Sequence, residues 1–456
     1  MKKMLSKVLK KITPTKKEIQ LEQELVAQIR KKLSRIKGNH SHLDWCGSSA
    51  RGTHLHKDKD LDLFLMYKKE LSEEELEKEG LTTAKKLFRG FKWEKAYSQH
   101  PYIRGIINGF KVEIIPSYLI TNANEKKSAV DRTPLHNKFL LEKMSEEQKK
   151  DTRLLKQFLK GVGAYGADLK NCALPGYGVE LLILHYGSFK KAIEGISEMK
   201  PGHIIKFTDK INEEGIKNIL KNQNNPLIII DPVDDKRNVA SALNEEQFQR
   251  MIHASKEFLK KPNIKFFFPK KIKPLPLKKI KQYLDQKEII AVKMPFLKSE
   301  LPDIFWGQLR REEKKLKNQL EENDFKVTRS TTWSNEKDVF MLFELETLTL
   351  QKSKKIFGPR ASDEENSKKF LEKKRKIISG PRIENERLVL ETEREYTNAK
   401  EFLEKEIKKE AKIEQKTIRK SLKKAKVLGE KELLKEYKKD FAKYLTQYLI
   451  GKERFE

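Results

Sequence analysis

Residues 47–64 read Gly47-Ser48-Ser49-Ala50-Arg51-Gly52-Thr53-His54-Leu55-His56-Lys57-Asp58-Lys59-Asp60-Leu61-Asp62-Leu63-Phe64. From Asp60 onward acids and leucines alternate, which is the period of a half-buried β-strand. Asp60 and Asp62 therefore project to one face, while Leu61, Leu63 and Leu65 enter a core. Two carboxylates side by side on a strand are hard oxygen donors. They suit Mg²⁺, which keeps several waters and completes its shell with substrate phosphates. Such a pair is the equipment of two-metal phosphoryl transfer. The Gly47-Ser48 turn just upstream leaves a strand and can offer backbone N–H groups and a hydroxyl to a phosphate. Asp58 shares the alternation but precedes the apolar run, and it reads as a solvated loop charge.

A third carboxylate is expected on a neighbouring strand. Asn108-Gly109 suits a type I′ turn, because both central residues must adopt positive φ, so Tyr102–Ile107 is predicted to pair antiparallel with Phe110–Ile115. That places Glu113 in an apolar strand, where an acid is costly without a partner. Upstream, apolar residues from Ile19 to Ile36 recur at helical spacing, and a strand follows at Leu43–Cys46. An acidic helix from about Ser72 to Phe88 and a strand at Phe91–Tyr97 complete an α+β head over residues 1–143.

Ser145 with Gln148 forms a capping box for a helix that carries Leu154, Leu155, Phe158 and Leu159 to a stop at Gly161. With apolar Val179–Tyr186 and helical Glu245–Leu259, it predicts a mainly helical central domain over residues 144–262. Lys260-Lys261-Pro262 and then Pro269, Pro274 and Pro276 mark its end. Residues 263–456 are expected to form an α+β body and tail. Ile289–Val292 and Val339–Leu350 read as strands, and Phe402–Leu449 as a long charged helical stretch with a stop at Gly429. The start of a small tail subdomain is left open within Leu301–Arg375.

The chain has 456 residues, of which 37% are hydrophobic, enough for several cores. Lys and Arg total 98 against 67 Asp and Glu, a formal charge of +31. Such a surface attracts polyanions, although Lys- and Glu-rich solvated helices raise the same count. Two cysteines, Cys46 and Cys172, exclude a disulfide framework or a cysteine-rich zinc site and fit a reducing cytoplasm. The basic N-terminus lacks a continuous apolar core, and no stretch reaches the length needed to span a bilayer, so a soluble, unexported protein is expected.

The Gly-Ser turn, Asp60-x-Asp62 and the later acidic strand resemble the polymerase-beta nucleotidyltransferase superfamily. Further motifs narrow the resemblance to the archaeal-type, class I CCA-adding enzymes. These motifs are Arg51-Gly52-Thr53, His100-Pro101-Tyr102, Ser128 to His136, Leu154 to Lys160, Tyr165-Gly166 and Asp231 to Ala240. The likeness is more diffuse afterwards, at Ser379 to Glu384 and Tyr396 to Glu401. It implies that Asp60, Asp62 and Glu113 hold the metals and that Ser48 and Arg51 contact a triphosphate. It further implies that Thr133, His136, Lys156 and Tyr165 complete a nucleotide pocket and that Arg237 reads the incoming base together with the RNA backbone. The implied reaction adds C, C and A to the 3′ end of tRNA from CTP and ATP, with Mg²⁺ as cofactor, no membrane and room for a homodimer. Members of the superfamily most often have Asp where this chain has Glu113. A metal ligand, a base on the 3′-hydroxyl and a water-mediated contact all stay open for it.

Blander readings stand beside these. His40, His42, His54 and His56 have no matching Cys pair and read as loop and strand surface rather than zinc ligands. Tyr165 suits a loop aromatic closing a helix end, and Arg237, after Asp234, Asp235 and Lys236, suits a surface ion-pair network. The basic segment Arg419–Lys426 fits a solvated face as well as an RNA contact. Two other functions compete. A poly(A) or oligoadenylate polymerase would share the acidic chemistry, but the Arg237 motif argues against it. A non-catalytic RNA-binding protein is disfavoured by three carboxylates that would repel one another and the RNA.

Overall fold

The computed structural model describes residues 1–97, 100–208, 217–219, 225–297, 301–413 and 418–456. The chain divides into two compact units, Met1–Lys270 with Glu453–Glu456, and Lys271–Lys452. The architecture is α+β.

The first unit opens with helices α1 (Lys2–Ile12) and α2 (Lys16–Leu33) and continues through β1 (His40–Cys46), the one-turn α3 (Gly47–Ala50) and β2 (Asp60–Tyr67). Next come α4 (Glu73–Leu87), β3 (Trp93–Tyr97), β4 (Pro101–Ile107) and β5 (Phe110–Tyr118). Capping boxes at Thr15/Glu18 and Ser72/Glu75 fix the starts of α2 and α4. The strands form one mixed sheet in the order β1-β2-β5-β4-β3, in which β2 and β5 run parallel. Asn108 and Gly109 adopt φ of 50° and 81°, so the expected tight turn joins β4 to β5 with Ile107 opposite Phe110.

Alternation along these strands separates two faces. Leu61, Leu63, Leu65, Ile103, Val112 and Ile114 are buried with Leu25, Val26 and Ile29 of α2 and Leu76, Ala84 and Leu87 of α4. The opposite face carries Asp60, Asp62 and Glu113 and closes over a smaller cluster of Cys46, Phe64, Met66 and Ile115.

A second core in the same unit is built from α5 (Arg132–Lys143), α6 (Glu146–Val162), α7 (Gly176–Tyr186), α8 (Phe189–Glu198), the parallel pair β6 (His203–Ile205) and β7 (Leu227–Ile229), and α9 (Glu245–Lys260). Val8 and Ile12 of α1 also pack into it. Its centre is an aromatic cluster in which the Phe158 ring lies 5.4 Å from Phe258, 5.8 Å from Phe267 and 6.2 Å from Phe189. The helix expected to stop at Gly161 runs on to Val162 and ends at Gly163, whose φ is 85°. Gly161 instead serves a close approach, because a Cβ there would stand 2.0 Å from the carbonyl oxygen of Phe266.

The second unit contains α10 (Leu277–Asp285), β8 (Glu288–Pro295), α11 (Pro302–Glu322), β9 (Val327–Ser334), β10 (Asp338–Leu345), β11 (Ser353–Arg360), α12 (Glu364–Glu372), β12 (Ile377–Glu384) and β13 (Arg387–Glu393). It ends with α13 (Ala399–Glu410), α14 (Arg419–Leu422), β14 (Lys426–Leu428), α15 (Glu430–Lys435) and α16 (Lys439–Ile450). A four-stranded antiparallel sheet, ordered β14-β8-β10-β9, is covered by α11 and α13 on one face and by α10, α15 and α16 on the other. A separate three-stranded sheet, β11-β13-β12, packs α12 through Phe370, Leu388 and Leu390.

Two expectations are corrected in this unit. Val339–Leu350 is strand only to Leu345. Phe402–Leu449 is not one long helix, since its described residues break into four helices and β14, which pairs with β8 through Val427 and Leu428; residues 414–417 of that stretch lie outside the described residues. Charge-rich helical composition concealed a short strand whose apolar residues complete a sheet edge. Gly429 does not stop a helix but precedes α15, with its N–H donating to Glu432 at 3.0 Å.

Candidate active site

Parallel pairing of β2 with β5 sets Asp60 opposite Lys111 and Asp62 opposite Glu113. All three expected carboxylates thus share one sheet face, two of them directly across a strand pair. Gly47 adopts φ 78° at the end of β1, and a Cβ there would fall 2.1 Å from Asp62 Oδ2. Only glycine lets the turn lie against the carboxylate. Burial, then the charges of Glu113 and Asp60, push the Asp62 carboxyl up to about 6. Asp60 is 61% exposed at the open end of β2. The Lys111 ammonium stands 3.1 Å from Glu113 and 3.6 Å from Asp60. Among the described residues no three His, Cys, Asp or Glu side chains close into a cage around one point.

Beside Asp62 opens a cavity of about 340 Å³, lined by Ser48, Arg51, Asp62, Arg132, Thr133, His136, Lys156, Tyr165, Tyr177 and Arg237 together with Gly47, Ala129 and Gly176. Every residue expected at a nucleotide pocket is brought here. Asp60 and Glu113 are not among the lining residues and stay on the sheet face next to it.

Two buried acids that the sequence reading passed over organise the walls. Glu180 of α7 accepts from Arg51 Nε at 3.2 Å and Nη2 at 2.8 Å, from Lys156 Nζ at 3.3 Å, and from the Thr53 hydroxyl. Burial would raise its carboxyl, but the charges of Arg51 and Lys156 outweigh that and hold it at about 2. The second acid is Asp231, at the end of the apolar run Leu227–Ile230. It accepts from Arg237 Nη1 and His136 Nε2, both at 2.8 Å, and from the Tyr177 hydroxyl at 3.2 Å. Burial opposes its ionisation, yet His136 and Arg237 hold it at about 2. Burial lowers His136 from the ordinary imidazole value while the Asp231 carboxylate, 2.8 Å from its Nε2, opposes that shift. The Tyr177 ring stacks on His136 with centroids 4.1 Å apart.

Arg237 is therefore paired to Asp231 rather than to the acids beside it in sequence. Asp234 takes Lys126 at 2.6 Å and Arg132 at 2.7 Å. Tyr165 crosses the start of α7, where a Cβ on Gly176 would meet its hydroxyl at 2.9 Å. Arg153 of α6 donates to the carbonyls of His54 and Gly52, tying the segment after the Gly-Ser turn to the second core. The histidines set aside as zinc ligands have acidic partners in three cases: His42 with Asp44, His54 with Glu22 and His56 with Glu18. Glu180 and Asp231 were open to the argument applied to Glu113, since each is an acid inside an apolar run and each has its countercharge.

Three family models match the chain: a nucleotidyltransferase domain over residues 26–136, the second domain of tRNA nucleotidyltransferase over 150–268, and the C-terminal domain of the CCA-adding enzyme over 288–430. The chain is 34% identical to the CCA-adding enzyme of Methanosarcina mazei over 88% of each chain. It is 35% identical to that of Methanocaldococcus jannaschii over 87% of this chain and 88% of the relative. Against that of Sulfurisphaera tokodaii it is 32% identical, over 86% of this chain and 88% of the relative.

Proposed function

Because the chain belongs to the CCA-adding enzyme family, we propose that its cavity takes CTP and ATP in turn and that the neighbouring carboxylates direct their template-independent addition to the 3′ end of tRNA. The observation that carries this reading is the contact of Gly47 with Asp62 at the mouth of a cavity walled by Arg51, Lys156 and Arg237. Triphosphate, metal ligands and base-reading group then fall within one nucleotide's reach.

In this reading the RNA 3′-hydroxyl attacks the α-phosphorus, a new O–P bond forms, and the bond to the β-phosphate oxygen breaks to release pyrophosphate. Ser48, Arg51 and Lys156 receive the phosphates, whose charge their donors and cations offset. Tyr165, Thr133 and His136 flank the sugar and base. Arg237, with one nitrogen fixed by Asp231, presents its remaining donors to the acceptors of C and A. Glu113, longer by one methylene than the usual Asp and 3.1 Å from the Lys111 ammonium, would join the metal shell directly or through water, or take the 3′-hydroxyl proton.

The donor set fits Mg²⁺. It is all carboxylate oxygen, and Asp62, pushed up by burial first and then by the charges of Glu113 and Asp60, is a site where a dication would favour the ionised carboxylate. Asp60 and Asp62 would hold the ion, with Glu113 nearby and phosphate and water completing the shell. Bound metal would supply Lewis-acid stabilisation at the α-phosphate. Residues 1–143 would serve as catalytic head, 144–262 as nucleotide-binding neck and 263–456 as tRNA-binding body and tail, with tRNA recognised by shape and phosphate charge. No described helix is long and apolar enough to cross a membrane; the reading places the enzyme in the cytoplasm with its tRNA substrates.

The test is addition to a tRNA ending at its discriminator base. With Mg²⁺, CTP and ATP, the product should gain two C and one A and then stop. Long A tails from ATP alone would select a poly(A)-type polymerase, and binding without incorporation a non-catalytic RNA-binding protein.

A further inference from the structure

Glu180 sits in α7 between Val179 and Leu181, in a run of side chains that are all buried, and is itself fully buried. It does not line the cavity, yet two of the side chains it holds, Arg51 and Lys156, do. Arg51 comes from the end of the Gly-Ser turn, Thr53 from the segment after it and Lys156 from α6, and all three converge on one carboxylate. Arg51 also gives Nη1 to Asn137 at 3.2 Å, while Lys156 donates to the carbonyl and hydroxyl oxygens of Thr53 at 3.3 and 3.2 Å. Two cations share this desolvated corner. Without a carboxylate between them they would repel each other and lack a countercharge. Burial lowers the Lys156 ammonium, and the Glu180 carboxylate opposes that shift at the place where a polyanion would enter.

We propose that Glu180 is a positioning residue for the nucleotide's phosphate tail, holding Arg51 and Lys156 in the cavity wall in the arrangement that receives a triphosphate. The inference rests on the cavity being the nucleotide site. It separates two kinds of loss: removing Glu180 should weaken recognition of phosphates while leaving tRNA binding and the choice between C and A intact. A role confined to stabilising the fold would instead reduce the amount of active protein without changing what that protein prefers.

The experiment compares the full-length wild type with Glu180→Gln and Glu180→Asp. It measures KM and kcat for CTP and ATP on tRNA lacking CCA, tRNA affinity, the thermal midpoint, and direct binding of CTP against CMP. In Glu180→Gln, KM for both nucleotides should rise about tenfold or more, with kcat less affected, and the preference for CTP over CMP should shrink by a similar factor. Glu180→Asp, one methylene shorter and still charged, should recover part of that preference. A folded Glu180→Gln protein with wild-type KM and wild-type CTP-over-CMP preference overturns the inference. Should Glu180→Gln melt below the assay temperature, Glu180→Asp decides: a reduced triphosphate preference supports the inference and a preserved one overturns it. A wild-type protein that binds no CTP would sink the cavity reading and this inference together, whereas wild-type CTP binding beside an unaltered Glu180→Gln sinks the inference alone.

Discussion

Asp62 carries more of the account than any other side chain, because the strand, the Gly-Ser turn and the cavity meet at it. Asp62→Ala should lower incorporation by about a thousandfold, the equivalent of roughly 4 kcal/mol of transition-state stabilisation, with little loss of tRNA affinity. A filter-binding curve run beside the incorporation assay separates the two, and surviving activity would contradict the metal assignment. Glu180 supplies a prediction in pH. Its carboxyl lies at about 2 when folded against an ordinary 4.5, so its stabilising contribution is complete above 4.5 and is lost as pH falls toward 2. Acid unfolding of Glu180→Gln, followed by circular dichroism, should be shallower over that window than in the wild type, and equal slopes would count against the buried ion pair. The carboxylates of β2 and β5 were legible in sequence because period-2 alternation and a type I′ turn locate them without tertiary knowledge. The same burial argument marks Glu180 and Asp231 as acids that need partners, but which partners was not legible, since Arg51 and His136 lie 129 and 95 residues away.

At the scale of elements, two glycines test whether backbone contacts place the site. Gly47→Ala puts a methyl into the Asp62 carboxylate at a positive φ, so incorporation should fall by about a hundredfold through misplaced chemistry. Its thermal midpoint should move less than that of Gly161→Ala. The latter drives a methyl into the Phe266 carbonyl and should destabilise the fold by about 2 kcal/mol or more, measurable by denaturant unfolding. The opposite ranking would mean that the Gly-Ser turn is structural rather than chemical. Helices with capping boxes, at Thr15, Ser72 and Ser145, begin where local chemistry says they should. Two of the failures share a cause. Gly161 does not end α6, and Lys426–Leu428 is a strand rather than part of a helix, because a packing partner distant in sequence overrides local propensity in both places.

For the whole molecule, the formal charge of +31 predicts that tRNA is held largely through phosphates. Affinity should drop at least about tenfold between roughly 50 and 200 mM salt, and a flat salt dependence would refute shape-and-charge recognition. The α+β class could be read from the sequence, but the sheet partners of the second unit could not, since its charged surface masks the periodicity of short strands. The most direct measurement is anomalous scattering from a crystal of the full-length protein grown with CTP and Mn²⁺ in place of Mg²⁺. A metal peak is expected between Asp60, Asp62 and the triphosphate, with the nucleotide in the cavity and its base toward Arg237. A nucleotide outside that cavity, or manganese bound away from the two aspartates, would contradict it.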